Sequence, residues 1–181
     1  MILKLNERVT GLPALILIVL GSMIVVGAIN HAMGHPLICK CGYFKLWHGG
    51  LVDAEVSQRL FDWYTPLHVV HGIVIYGVMW LFMRHKPSLR SGLIVAVLFA
   101  SVWEILENTP LVVHSFALTT RVADYTGDSV VSSIGDMFAT MLGCAAAAYL
   151  PIWGSILLLI GLAQLPHDNP WYVAQFFLGD W

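Results

Sequence analysis

The chain has 181 residues, 58% of them hydrophobic and 11% charged, with a formal net charge of −2 and a mean hydropathy of +0.77. Soluble domains carry about 45–50% apolar and about 25% charged residues, so this composition excludes a water-soluble globular domain and points to an integral membrane protein. The nearly neutral charge balance gives no indication of a nucleic-acid partner, and three cysteines are not a disulfide framework.

Lys4 and Arg8 precede an apolar run from Leu12 to Asn30, long enough to cross a bilayer. No convincing cleavage site follows, so the run reads as a retained first helix, with a cleaved signal as the alternative. Residues 31–61 are too polar to span and form a loop, in which "DAEVSQRL" reads as a short surface helix. A second span runs from Asp62 to Met83 and is broken by "RHKPSLR". The third runs from Ser91 to Val113, followed by the loop "HSFALTTRVADYTGDS". The fourth runs from Val130 to Leu150. Pro151 and Gly154 then mark a turn or kink before a shorter apolar stretch, Ile152 to Leu165. The tail at 166–181 is aromatic and amphipathic, as interfacial segments are. No linker, repeat or low-complexity tract divides residues 1–181. The expected fold is a single all-α transmembrane bundle of about five spans, with four to six as the bounds.

Lys4, Arg8, Arg84, Lys86 and Arg90 gather at one side of this arrangement. Positive charge near span ends marks the cytoplasm, which places the N-terminus inside and the 31–61 loop outside. The expected location is a bacterial inner membrane, multi-pass.

With that topology, three spans carry polar pairs in their outer halves. His68 and His71 lie three apart in the second span, and Glu104 and Glu107 three apart in the third. Asp128, Ser132 and Asp136 recur every four residues at the start of the fourth, on one helical stripe. A charge at mid-membrane costs roughly 2.5–3.5 kcal/mol even on a lenient scale, so such residues need protein or water to face. For Asp128 an N-cap with Ser129 is an equal alternative, and Glu107 with Asn108, just before Pro110, also reads as a helix end. The same residues also admit a purely structural role, as hydrogen bonds between packed helices.

His68, His71, Glu104, Glu107 and Asp136 suit a divalent metal such as zinc, manganese or iron. With Asp128 they also suit acid–base chemistry without a metal, histidine as base and carboxylates as partners. Their depth points to lipid or lipid-linked substrates. A separate set in the outer loop, His31, His35, Cys39 and Cys41, has donors for copper or zinc; a folded cap with a redox-labile Cys pair is its other reading. Two further functions stay open. One is an accessory subunit packed against other membrane subunits, its polar residues fixing helix registry. The other is a metal-handling protein using the loop set.

"CKCGYFKLWHG", "DWYTPLHVVHGIVIYG", "WEILENTP" and "DYTGDSVVSSIGDMFATMLG" resemble a bacterial membrane family catalogued as domain of unknown function 2585. The resemblance runs from the first span into the fourth and implies a small multi-span inner-membrane protein, mainly of proteobacteria. The order of histidine, glutamate and aspartate on successive helices is also similar to VanZ-like membrane proteins. That similarity matches His68 or His71, Glu104 or Glu107, and Asp136 to the polar set those proteins carry. The CxC loop departs from the VanZ-like pattern.

Overall fold

The computed structural model describes residues 11–50, 53–83, 87–120 and 124–165. It is all-helical, with no strand among these residues beyond an isolated bridge between Trp47 and Phe61. The helices are α1 (Leu12–Ala32), α2 (Thr65–Phe82), α3 (Leu89–Glu107), α4 (Pro110–Thr120), α5 (Val130–Tyr149) and α6 (Ile152–Ala163). Four of them, α1, α2, α3 and α5, are long and apolar enough to cross a membrane. The short apolar α6 falls below that length. The cations Lys4, Arg8, Arg84 and Lys86 and the 166–181 tail lie outside the described residues.

Two expectations about local structure are corrected. The third span does not run on to Val113. It ends at Glu107, capped by Asn108, because Pro110 cannot continue a helix from behind and instead starts α4. Most of the expected loop after it is therefore helix, as far as Thr120. The "DAEVSQRL" segment forms turns and bends, not a helix. Asp53 and Asp62 explain this: each accepts backbone N–H groups two to five residues away, which competes with helical hydrogen bonds.

The centre of the bundle is α5. Most of its spanning window is buried (61%), against 22–33% for the other three. Its sequence explains why. "VVSSIGDMFATMLGCAAAAY" is rich in Gly, Ala, Ser and Thr, which let helix backbones approach closely where apolar burial drives nothing. Gly143 sits against the Val69 carbonyl of α2, and Gly72 of α2 sits against the Thr140 carbonyl of α5. A side chain at either glycine would land on that backbone. Around these contacts pack Ile73, Tyr76, Ala96 and Cys144 on one side, and Met23, Val26, Val97 and Met137 on the other. Leu17, Ile24, Leu81 and Leu142 point outward and remain exposed, as lipid-facing side chains do.

The polar loop from His35 to Tyr64 closes one end of the bundle, called the loop end below. It is pinned to α5 by backbone bonds from Ser129 to Ser57, Val130 to Pro36 and Val131 to Leu37. The Gln58 side chain also donates to the Gly127 carbonyl. Gly127 there has φ +80, a conformation L side chains rarely adopt.

Candidate functional site

Each polar residue of interest sits within two helical turns of the loop end. His68 is three residues into α2, Glu104 three residues before the end of α3, and Asp136 six residues into α5. The stripe on α5 faces protein: Ser132 and Asp136 are buried, as is Asp128 just before the helix. Ser129, not Asp128, is the N-cap of α5, accepting from the Ser132 N–H. Asp128 is thereby free for another bond. Its Oδ2 accepts from Asn108 Nδ2 at 2.9 Å, and its own N–H donates to Asn108 Oδ1 at 2.8 Å.

His68 lies between two carboxylates. Its Nδ1 is 3.4 Å from Glu104 Oε1 and its Nε2 is 3.9 Å from Asp136 Oδ2. Glu104 is completely buried. Two overlapping sets of side chains, His68–Glu104–Glu107 and Glu104–Asp128–Asp136, offer donor atoms within 4.8 Å of one another. Five of the six predicted site residues therefore converge. His71 does not join either set. Its ring packs edge-on against Trp103 at 4.9 Å and against His68 at 5.4 Å.

Hydrogen bonding leaves this cluster incomplete. Both oxygens of Glu104, Oε2 of Glu107, Oδ1 of Asp136 and Nδ1 of His68 are buried and make no hydrogen bond among the described residues, although His68 Nδ1 and Glu104 Oε1 face each other as an ion-pair contact. An unsatisfied buried polar group costs about 1–3 kcal/mol, more when charged. Among the described residues no lysine or arginine pairs with these carboxylates; Arg59, the buried cation of the loop, is held by Glu55 and the Tyr43 carbonyl. Around the cluster several polar groups are hydrogen-bonded, although Asn30 Oδ1, His35 Nδ1 and Gln58 Oε1 are also buried without a hydrogen bond among the described residues. Asn30 of α1 donates to Ser133 at 3.0 Å, and Asn108 also reaches Ser133 at 3.4 Å. Asp62, which roofs the cluster, accepts the N–H groups of Ser57, Tyr64 and Thr65. Burial pushes the Asp62 carboxyl up, and those three bonds pull it back. For Asp128, burial outweighs the Asn108 bond and raises the carboxyl to about 6.

The loop set does not come together. His31 Nδ1 bonds the His35 carbonyl, and His35 Nε2 bonds the Asn108 carbonyl at 2.9 Å. Cys39 and Cys41 are joined to each other as a disulfide. None of the four belongs to a group of converging metal donors among the described residues. Asn108 caps α3, as its place before Pro110 suggests, but its bonds to Asp128 and the bond between Asn30 and Ser133 have no sequence expectation behind them. The only signal for these bonds in the sequence is an amide or hydroxyl inside or beside an apolar run.

An apolar groove of about 560 Å³ lies beside the site at the same end, walled by Trp47, Phe61, Pro66, Val69, Phe138 and Leu142. Thr65 of α2 is part of its lining.

Residues 30–167 match a family model described as a protein of unknown function, DUF2585. The chain belongs to this family. The matched region holds α2 to α6 and every residue of the cluster. The chain is 44% identical over 135 residues to a UPF0314 protein of Paracoccus denitrificans, covering 74% of this chain and 68% of that one. It is 41% identical over 143 residues to a UPF0314 protein of Rhizobium meliloti, covering 79% and 72%. A UPF0314 protein of Novosphingobium aromaticivorans shares 39% over 133 residues. No solved structure matches.

Proposed function

We propose that this membrane protein is an enzyme of the outer half of a bacterial inner membrane. It binds a divalent cation through His68, Glu104, Glu107 and Asp136, with Asp128 alongside, and acts on a lipid or lipid-linked substrate. One observation carries the reading: a fully buried Glu104 with neither carboxylate oxygen hydrogen-bonded, facing a histidine and further acids. A cation relieves that arrangement, and one imidazole among carboxylates is a donor set for manganese, magnesium, iron or zinc. A cation there polarises a phosphoryl or acyl oxygen or activates water. The groove supports a substrate with an apolar chain, because Thr65, Pro66 and Val69 in its wall belong to the first turns of α2, which also carry His68.

A metal-free reading has its own observation, since the two ring nitrogens of His68 face different carboxylates and suit proton transfer. The accessory-subunit reading is less favoured. Registry among helices is already fixed by the Asn30–Ser133 and Asn108–Asp128 bonds, and neither accounts for the missing hydrogen bonds of Glu104.

The test uses purified full-length protein in vesicles of bacterial lipid extract, incubated with Mg²⁺, Mn²⁺ or Zn²⁺ and followed by lipid mass spectrometry. A lipid species converted by wild type, but not by Glu104→Gln of equal thermal stability, supports an enzyme. Conversion that persists after chelation selects the metal-free mechanism. No conversion with any of the three cations overturns the proposal.

A further inference from the structure

Resting on the cation-site reading, the geometry points to two cations bound side by side rather than one, bridged by the carboxylate of Glu104. His68 and Glu107 take the first cation, and Asp128 and Asp136 take the second. Two observations carry this. The converging donors fall into two groups of three that share Glu104 and nothing else. Both oxygens of Glu104 lack a hydrogen bond, so each is available to a different partner. A single cation could chelate both oxygens, so it is the division of the remaining donors into two groups that favours a bridge over a chelate.

Charge balance agrees. Glu104, Glu107, Asp128 and Asp136 carry four negative charges when ionised as ligands, and His68 binds as a neutral imidazole. Two divalent cations neutralise this set. One leaves two net charges buried at a depth where even a single charge is expensive. The surroundings also fit carboxylate ligands held in place. Asn108 fixes Asp128 through two hydrogen bonds, as outer hydrogen bonds orient metal ligands elsewhere. A carboxylate-bridged pair clamps the attacking and leaving oxygens of a displacement at phosphorus or a carbonyl carbon. The substrate class this favours is a phosphate ester or acyl ester of a lipid.

Manganese(II) is the probe. Full-length protein in detergent is stripped with chelator, reloaded with Mn²⁺ alone, desalted, and read by elemental analysis and low-temperature electron paramagnetic resonance. Two manganese per chain, with an exchange-coupled signal in place of the six-line pattern of isolated Mn²⁺, is the expected result. Asp128→Asn should then bind one manganese and show the six-line pattern. One manganese in wild type overturns the two-cation inference and leaves the cation site standing; none overturns both. Two manganese without coupling also defeats the bridge, because a shared carboxylate cannot leave the spins independent. The wild-type stoichiometry and spectrum decide the question even if a variant fails to fold.

Discussion

Asn108 is the joint on which the candidate site hangs, and its removal is the sharpest test of the packing described above. Its side chain accepts the Asp128 N–H at 2.8 Å and donates to Asp128 Oδ2 at 2.9 Å, while lying completely buried at the α3 terminus. Asn108→Ala deletes both partners and leaves an amide and a carboxylate oxygen buried. Each orphaned group costs about 1–3 kcal/mol, giving roughly 2–6 kcal/mol in all. For a chain of this length each kcal/mol moves the melting temperature by about 2–4 °C, so a fall of about 4–24 °C is expected in detergent. Asn108→Asp separates the two bonds. It keeps an acceptor for the Asp128 N–H but sets a second carboxyl against Asp128. Its penalty should be smaller than alanine's at pH 5, where the pair shares a proton, and should grow towards pH 8, where both acids are driven to ionise. Thermal unfolding followed by circular dichroism across that range reads both effects. A shift under about 2 °C for Asn108→Ala, or a pH-independent penalty for Asn108→Asp, would refute the claim that this amide organises the cluster.

Further expectations concern the helix contact, the acids and the loop. Gly143→Val places a side chain on the Val69 carbonyl and should cost about 3 kcal/mol or abolish folded yield, whereas Gly77→Ala, with open space around it, should be neutral or mildly stabilising. Equal melting temperatures for the two variants would contradict the close α2–α5 approach. In chelator-treated protein, Asp128 has its carboxyl raised from 3.8 to about 6, chiefly by burial. Folding therefore favours its protonated form. The contribution is fully present below about 3.8 and is lost as pH rises through about 6. Asp128→Asn should flatten the stability profile across that window, and an unchanged slope would assign the titration elsewhere. Cys39→Ser combined with Cys41→Ser should leave metal content unchanged, because those sulfurs bind each other and no converging donor group among the described residues includes them. Loss of metal in the double variant would return the loop set to consideration.

Much of the architecture is written in local sequence because a bilayer imposes a simple rule. A backbone without water must satisfy itself, so runs such as Leu12–Ala32 and Thr65–Phe82 have helix as their one solution. The spacing of Asp128, Ser132 and Asp136 likewise announces an inward stripe, since lipid rejects it. Helix ends were less legible. Pro110 lies inside an apolar stretch that hydropathy joins into one span, yet its missing N–H divides α3 from α4. The 53–60 segment has a helical look that the hydrogen-bonding of Asp53 and Asp62 overrides.

The site itself divides in the same way. Spacing along each helix selects which residues share a face, and that brought forward His68, Glu104 and Asp136. Only packing decides which faces meet. The glycines at 72 and 143 draw α2 onto α5 closely enough for His68 to reach Asp136, while His71, one turn further along the same helix, meets Trp103 instead. The choice between Asp128 as cap and Asp128 as site residue depended on Asn108, twenty residues distant. Such pairings depend on distances across the bundle, and no periodicity along one helix encodes them.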